Sequence, residues 1–219
     1  MLWSKFGEIL GDRLEAASVC DIGCGEGYLS RFLAQFGSRE VIGIDVSSIL
    51  LETAVQRSNA ANLSYRVDDA QRLRTFSDKS IDIAVSQLVV TDIPDHRAMF
   101  SSVHRVLKTG GRFIFSLPHP CFEAPFHLPD TPPVLSDENG TPIACVVRRY
   151  ISEGLWYLGG DGVRGQMGAY HRKLSTYVND LLAAGFRLEG LHEPMREDGK
   201  AWGIYSEIPR FLLIDVQAE

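Results

Sequence analysis

Apolar runs alternate with helix-like stretches through the first half of the chain. The short apolar runs predict five strands, at residues 19–22, 40–45, 63–67, 81–86 and 112–117. Between them, apolar residues recur at helical spacing and predict helices at residues 3–14, 28–36, after a cap at Ser47 or Ser48, and 96–107. This alternation is typical of βα units arranged around a mostly parallel sheet.

The alternation stops after the fifth predicted strand. Residues 118–133 are rich in proline, and no helix or strand period returns before about Leu174. Irregular segments of this length are usually functional in a compact domain. We therefore expect 118–171 to be a lid or substrate-binding insert in a single domain spanning 1–219, with a packed surface loop as the alternative. The rest of the chain predicts a helix and an antiparallel hairpin, at residues 174–184, 186–193 and 209–216.

Composition is that of an ordinary globular protein and narrows the choice of partners. The chain has 219 residues, 45% of them hydrophobic, and a net charge of −6. The negative charge disfavours a nucleic-acid partner, and the basic pairs Arg148-Arg149 and Arg172-Lys173 are expected to be solvated surface. No apolar run is long enough to cross a bilayer. We expect no metal site and reduced thiols in the cytoplasm, because metal-ligand spacing is absent among the four cysteines, Cys20, Cys24, Cys121 and Cys145.

The first predicted strand leads into a loop of alternate glycines. Asp21 lies in the last part of the apolar run, and Gly23, Gly25 and Gly27 follow before a helix that begins near Tyr28. Glycines let the backbone turn sharply and let a ligand lie directly against it. The first N–H groups of the helix point towards the same place. The order of strand, loop and helix therefore predicts a ligand cradle at this end of the sheet.

Acidic residues end the next two predicted strands. Asp45 follows the glycine loop by about twenty residues and can accept hydrogen bonds from both hydroxyls of a ribose, or else cap the helix that follows. The third strand ends in Asp68-Asp69-Ala70, where a carboxylate can accept from an adenine amino group. Asp69, beside the small Ala70, is the preferred candidate, and a simple turn is the alternative.

Together these motifs resemble the class I S-adenosylmethionine-dependent methyltransferases. The matching segments are Asp21 to Gly27 as DxGCGxG, Asp45, Asp69-Ala70, residues 80–88 as the fourth-strand motif and residues 106–113 as the helix–turn–strand motif. The resemblance covers about residues 18–117. It implies an α/β, Rossmann-like fold with a seven-stranded, mostly parallel sheet of order 3-2-1-4-5-7-6, helices on both faces and an antiparallel strand seven.

The resemblance also implies which residues bind S-adenosylmethionine. Asp21 and Gly23 are expected near the methionine part of the cofactor, and Gly25 and Gly27 should allow its close approach. Tyr28 opens the helix and can either reach the cofactor or pack against the sheet. Gln87 and Leu88 are expected beside the adenosine or the sulfonium. The implied set is completed by Cys24, Asp45, Val46, Asp69 and Ala70.

Two other classes of protein share part of this pattern. A nicotinamide-dependent reductase would have the same glycine loop and ribose carboxylate. Its GxGxxG fingerprint needs a glycine where this chain has Tyr28, and the chain contains no Tyr-x-x-x-Lys pair to serve as a hydride-transfer acid. A regulatory protein that binds the cofactor without catalysis is the third alternative, against which the aromatic-rich insert argues.

The sequence disfavours several methyl acceptors. Residues 86–89 read Ser-Gln-Leu-Val and lack the Asn/Asp-Pro-Pro-Tyr motif of amino-group DNA and protein-glutamine methyltransferases. Pro120-Cys121 follows the fifth predicted strand, whereas the Pro-Cys nucleophile of cytosine C5 enzymes follows the fourth. The remaining expectation is a small-molecule acceptor that is methylated on an O, N or C atom.

Candidate acceptor-side residues lie in the insert and in the 194–207 loop, which we expect to cover the carboxyl ends of the first, fourth and fifth strands. His119 begins an HPCF segment that resembles an element of bacterial small-molecule methyltransferases. His171 is the preferred proton acceptor, because a neutral imidazole suits that task near pH 7. Either histidine can instead be a hydrogen-bonded structural residue. Aromatic walls are expected from Trp156, Tyr157, Tyr170 and Trp202, with core packing as the alternative.

Overall fold

The computed structural model describes residues 2–123, 134–157, 167–195 and 208–219. Within these ranges the strands are β1 (Ser18–Ile22), β2 (Glu40–Asp45), β3 (Leu63–Val67), β4 (Ile81–Gln87), β5 (Leu107–Pro118), β6 (Val134–Ser136), β7 (Pro142–Cys145), β8 (Gly154–Trp156), β9 (Ala169–His171), β10 (Phe186–His192) and β11 (Phe211–Ala218). The helices are α1 (Leu2–Leu10), α2 (Tyr28–Leu33), α3 (Ser48–Gln56), α4 (His96–Val106) and α5 (Leu174–Ala183). Two short 3-10 turns cover Gly11–Leu14 and Val90–Asp92.

A seven-stranded sheet forms the centre of the molecule. Its order is β3-β2-β1-β4-β5-β11-β10. Within this sheet β11 alone runs opposite to the other strands, since it pairs antiparallel with both β10 and β5. With the strands of this sheet counted in chain order, the arrangement is 3-2-1-4-5-7-6 with strand seven antiparallel. The predicted fold class and strand order are confirmed.

Helices cover both faces of the sheet and enclose two apolar cores. Helix α4 buries Met99, Phe100, Val103 and Val106 because their three- and four-residue spacing places them on one side. Helices α4 and α5 share one core with β5 and β11, whereas α1 and α2 pack on the opposite face. At α3, the Ser47 hydroxyl accepts the Leu50 N–H at 3.3 Å, so the predicted cap is confirmed. No described helix has the length and apolar character of a membrane span.

The start of β5 differs from the prediction. The strand begins at Leu107 instead of Arg112, directly after α4. Gly110 and Gly111 are therefore not a turn before the strand but part of an irregular stretch within it. The pairing with β4 shifts register between Ile81 and Ile83. A Cβ at Gly111 would lie 2.8 Å from the Lys108 carbonyl oxygen of the same strand and 3.0 Å from the Asp82 carbonyl oxygen of β4, so glycine is required at this irregularity.

The insert contains more regular structure than its sequence predicted. Strands β6 and β7 pair antiparallel, and so do β8 and β9. These strands have only three or four residues each, too few for an alternating pattern to be visible in the sequence.

The insert is fastened to the start of α5. The Tyr150 hydroxyl accepts the Leu174 N–H at 3.0 Å. The Glu153 carboxylate accepts the Lys173 N–H at 2.8 Å and the Thr176 hydroxyl at 2.5 Å. The first N–H groups of a helix lack partners within it, and the position before α5 is a lysine that cannot accept them. Residues of the insert therefore cap this helix.

Candidate active site

The glycine loop runs from the carboxyl end of β1 across to β2. Cys24 donates its N–H to the Ile44 carbonyl at 2.8 Å, which holds the loop over the end of β2. Gly23, Gly25 and Gly27 have φ angles of 69°, 54° and 78°. These are left-handed conformations that other residues rarely adopt, so the alternate glycines are a requirement of the backbone.

The three glycines meet different surroundings. A Cβ at Gly23 would lie 2.6 Å from the Val89 side chain, and one at Gly27 would clash with the ring of Tyr65. A Cβ at Gly25 would have no atom within 4 Å. Gly23 and Gly27 are thus needed for packing, whereas Gly25 borders open space. This space beside exposed backbone is the part of the loop against which a ligand can lie.

Asp45 links the glycine loop to the end of β2. Its carboxylate accepts the Gly25 N–H at 2.9 Å and the Ser47 N–H at 2.8 Å, one on each oxygen. Asp45 thus orders the turn before α3, but the N-cap of this helix is Ser47, so the alternative role of Asp45 as the helix cap is wrong. Each carboxylate oxygen has a second lone pair, so the contacts leave capacity for the two hydroxyls of a ribose. Ribose binding by Asp45 stays a prediction.

An exposed aliphatic surface lies next to this carboxylate. Val46 has 71% of its surface exposed, although it directly follows a buried strand. An adenine base has an apolar face that such a side chain can cover. The open space at Gly25, the Asp45 carboxylate and the Val46 side chain fit the dimensions and chemistry of a nucleoside. The adenosine part of S-adenosylmethionine therefore suits the residues at this end of the sheet.

Asp21 is a buried carboxyl group beneath the loop. It is 1% exposed and accepts the Ser30 hydroxyl at 2.5 Å. Burial raises the pKa of Asp21 to about 7, and the nearby Asp45 carboxylate adds to this, while the Ser30 hydrogen bond lowers it. A cationic group of a ligand placed beside Asp21 would favour its ionised form. This position is consistent with the predicted contact to the methionine part of the cofactor.

The two carboxylates after β3 have different surroundings. Asp68 accepts hydrogen bonds from the N–H groups of Asp69, Arg74 and Thr75 and from the Thr75 hydroxyl. Burial alone would raise the pKa of Asp68, but these hydrogen bonds lower it. Both carboxylate oxygens are used to stabilise the turn after β3. Asp69 accepts from Gln71 and keeps part of its surface exposed. Ala70 is buried in the core. An adenine contact by Asp69 stays a prediction.

The carboxyl end of β4 lies beside the glycine loop. Leu88 follows Gln87 and has a φ of 61°, which is a strained conformation for a bulky residue. Its N–H donates to the Ser116 carbonyl at 3.0 Å. The Val89 side chain packs where a Cβ of Gly23 would stand. The structure thus places the predicted residues Gln87 and Leu88 next to the loop after β1. The strained backbone at Leu88 has no signal in the sequence.

Two further members of the predicted cofactor set lie at the rim of the loop. Tyr28 is the first residue of α2 and is 48% exposed, so it is not a core residue under the sheet. The Cys24 sulfur lies 2.9 Å from the position of a Cβ at Gly43. Gly43 therefore lets β2 approach the loop closely, a requirement that the sequence analysis missed.

His119 has a partner for each ring nitrogen. Its Nε2 lies 2.9 Å from the Glu193 carboxylate, and its Nδ1 accepts the Cys121 N–H at 3.2 Å. Since Nδ1 accepts, the ring proton is on Nε2 and is donated to Glu193. The backbone N–H of His119 also donates to the Arg210 carbonyl at 2.8 Å. His119 thus joins the ends of β5 and β10 to the start of β11.

His171 is buried within the insert. Its Nε2 lies 2.8 Å from the Tyr150 carbonyl oxygen, so Nε2 carries the proton. Three of the other expected acceptor-side residues lie on the same β8–β9 pair as His171 or directly after it. Trp156 and Tyr170 are half-buried on β8 and β9, Tyr157 is exposed, and Trp202 lies outside the described residues. The catalytic and aromatic-wall roles stay predictions.

Arg172 is not the solvated surface residue that its sequence context predicted. It is 6% exposed and donates to the carbonyls of Val90, Ile93 and Pro94. It is buried because these three oxygens replace its hydration. An Arg-Lys pair gives no sign of such partners in the sequence.

Comparisons with known proteins agree with this geometry. A methyltransferase-domain family profile matches residues 20–115. An S-adenosylmethionine-dependent methyltransferase from Mesorhizobium loti superposes with a TM-score of 0.82, is 27% identical, and the match covers 98% of this chain and 96% of that one.

Two curated enzymes are similar over about half of the chain. A malonyl-[acyl-carrier protein] O-methyltransferase from Hamiltonella defensa is 33% identical over 109 residues, which are 50% of this chain and 40% of the relative. A ubiquinone biosynthesis O-methyltransferase from Coxiella burnetii is 31% identical over 113 residues, 51% of this chain and 47% of the relative. The chain spans less than half the length of these relatives.

The comparisons decide between the classes that the glycine loop left open. The family profile covers the glycine loop, Asp45 and the end of β4. The crystal structure of the Mesorhizobium loti methyltransferase matches nearly the whole chain. The reductase and the non-catalytic alternatives are set aside. The family profile and the solved structures support a class I, Rossmann-like S-adenosylmethionine-dependent methyltransferase, an enzyme whose methyl donor is S-adenosylmethionine.

Proposed function

We propose that the protein transfers a methyl group from S-adenosylmethionine to an O, N or C atom of a small-molecule acceptor held under the 118–171 insert. The observation that carries this proposal is the path of the insert. It leaves β5 at its carboxyl end and returns through β9, which packs against the Val90–Asp92 turn after β4. The insert is therefore fastened to the end of the sheet that carries the glycine loop.

This placement assigns a task to each part of the site. The donor supplies a methyl group on a sulfonium, which is already activated for displacement. The protein then has to orient donor and acceptor in line and to exclude water, and much of the rate comes from this orientation. Asp45, Val46 and the backbone at Gly25 would hold the nucleoside, and Asp21 would face the methionine part. The insert would hold the acceptor.

The proton of the acceptor, where it has one to lose, is assigned to His171. Its Nε2–H donates to the Tyr150 carbonyl at 2.8 Å, which orients the ring within the insert, and an imidazole suits proton transfer near pH 7. In His119 the Cys121 N–H occupies Nδ1 and Glu193 occupies Nε2. His119 joins three strands, so we assign it a structural role beside the acceptor site and not proton transfer.

The curated relatives support a small organic acceptor group, which in one of them is attached to a carrier protein. One is named for ubiquinone biosynthesis and the other for a malonyl group on a carrier protein. Because this chain matches these relatives only in part, their acceptors are not transferred to it. The proposal is limited to the class of acceptor. The net charge of −6 supports the absence of a nucleic-acid partner. A cytoplasmic location is proposed from four cysteines that are all unpaired by disulfides.

The proposal is tested by labelled methyl transfer into a fractionated cell extract. The purified protein and S-adenosylmethionine with an isotopically labelled methyl group are incubated with the ultrafiltrate of the extract and, separately, with its macromolecular retentate. We expect label in the ultrafiltrate, and none when Gly25→Val protein is used. Label confined to RNA or protein of the retentate would contradict a small-molecule acceptor.

A further inference from the structure

Arg172 is a buried cation held between two aromatic rings. Its guanidinium carbon lies 4.9 Å from the ring centre of Tyr170 and 6.0 Å from that of Tyr177. Tyr177 is itself fully buried in the core on α5. Cations are attracted to the faces of aromatic rings, and a guanidinium is only weakly hydrated. The two rings therefore fix the side chain in one direction.

The guanidinium points at three carbonyl groups of one short segment. It donates to Val90 at 3.2 Å, to Ile93 at 2.6 Å and to Pro94 at 2.9 Å. These oxygens belong to the Val90–Asp92 turn and the residues just after it. A planar fork of donors can reach several acceptors at once, which a lysine cannot do. Arg172 thus fixes the backbone of residues 90–94 from the side of the insert.

The fixed segment continues directly into the wall of the cofactor site. Leu88 precedes it in a left-handed conformation, and Val89 packs against the backbone of Gly23. A strained residue keeps its conformation only where the surrounding structure enforces it. Here the Leu88 N–H is held by the Ser116 carbonyl on one side, and the carbonyls that follow are held by Arg172 on the other.

We propose that Arg172 is a positioning residue for the cofactor, which acts by holding residues 88–94 against the glycine loop. The proposal rests on the family's cofactor site and is independent of the acceptor assigned above. Arg172 itself contacts none of the glycine-loop residues in the described contacts, so its effect passes through Leu88 and Val89. Loss of the guanidinium should loosen this segment and weaken cofactor binding.

A neighbouring contact provides a matched control. Asp180 on α5 bonds His96 at 2.6 Å and Arg97 at 3.0 Å, and so joins α5 to α4. Like Arg172, it ties the part of the chain around α5 to residues that follow β4. Unlike Arg172 it makes no described contact with residues 88–94. Asp180→Asn should therefore lower the melting temperature without changing the cofactor site.

The test compares Arg172→Met, Arg172→Lys and Asp180→Asn in two measurements that need no acceptor. Hydrogen exchange of the unliganded proteins reports on residues 88–94, and calorimetry gives the Kd for S-adenosylhomocysteine. In Arg172→Met we expect faster exchange in 88–94 and a Kd raised about tenfold or more, because several charge-assisted hydrogen bonds are lost. Arg172→Lys should be intermediate. Asp180→Asn should speed exchange in α4 and α5 and leave the Kd within about twofold of wild type.

Two results would overturn the proposal. One is wild-type exchange in 88–94 or a wild-type Kd in the Arg172 variants. The other is an equal rise of the Kd in Asp180→Asn at a similar loss of melting temperature, since the effect would then be general destabilisation. Should Arg172→Met not fold, Arg172→Lys retains the charge and length of the side chain and decides the question alone. Failure of the proposed small-molecule activity would not affect this test, because neither the hydrogen exchange nor the Kd for S-adenosylhomocysteine depends on an acceptor.

Discussion

Asp21→Asn should stabilise the unliganded protein at alkaline pH while weakening its cofactor binding. The carboxyl group is 1% exposed, and burial raises its pKa from 3.8 to about 7. The amide of asparagine has nearly the same shape, and its oxygen can still accept the Ser30 hydroxyl, which now bonds the carboxylate at 2.5 Å. The substitution therefore removes the charge and little else.

The magnitude follows from the two pKa values. Below about pH 4 the carboxyl group is protonated in both the folded and the unfolded chain, so Asp21 does not lower the free energy of unfolding. Between about pH 4 and 7 the unfolded chain loses this proton while the folded chain keeps it, so the free energy of unfolding falls as pH rises. Above pH 7 the loss is complete at about 4 kcal/mol, from about 3.2 pH units at 1.36 kcal/mol each. At pH 8 the variant should gain up to this amount.

Thermal unfolding at two pH values measures the effect. One kcal/mol shifts the Tm of a domain of this size by about 2–4 °C, so Asp21→Asn should raise the Tm by up to about 8–16 °C at pH 8. At pH 4.5 the gain should be much smaller. Asp78→Asn, which changes an exposed carboxylate, is the control and should show no such difference.

The reasoning is refuted if the Tm of Asp21→Asn is no higher than that of wild type at pH 8, or if the gain is equal at both pH values. Calorimetry of the same variant should show a Kd for S-adenosylmethionine raised about tenfold or more, because a charge-assisted contact is lost. A more stable variant with unchanged affinity would keep the electrostatic account of Asp21 but remove it from the cofactor site.

Two further substitutions test the cofactor site. Asp45→Ala should raise the Kd for S-adenosylhomocysteine about tenfold to several hundredfold through the loss of ribose hydrogen bonds, each worth about 1.5–3 kcal/mol; a calorimetric Kd within about twofold of wild type would exclude ribose binding by Asp45. Gly25→Val places a side chain in the open space of the loop and at a φ of 54°, so binding should be abolished while the circular dichroism spectrum is retained. Retained affinity would show that the ligand does not lie against Gly25.

The sheet could be predicted from the sequence because its signals are local. Strands β1 to β4 coincide with short apolar runs, and the helices between them show apolar residues at helical spacing. The early start of β5 could not be predicted, since Gly110-Gly111 has the composition of a turn but lies in an irregular strand. Strands β6 to β9 could not be predicted because the three residue pairs in each ladder leave no periodic pattern.

The residues of the candidate site could also be predicted only where their signals are local in the sequence. The glycines, Asp45 and Asp69 stand at strand ends that the sequence locates, and their roles follow from position. Arg172 escaped because its partners are backbone carbonyls that lie far away in the sequence. Leu88 escaped because a left-handed φ at a leucine is imposed by tertiary contacts and has no signature in residue type.

The central claim is that the space between the glycine loop, Asp45 and the end of β4 binds S-adenosylmethionine. Calorimetric titration of the purified wild-type protein with S-adenosylhomocysteine tests it most directly, with NADPH titrated under the same conditions and Gly25→Val protein as the control. We predict saturable binding of S-adenosylhomocysteine to the wild type, no binding to Gly25→Val and no heat with NADPH. Saturable binding of NADPH together with no binding of S-adenosylhomocysteine would contradict the claim.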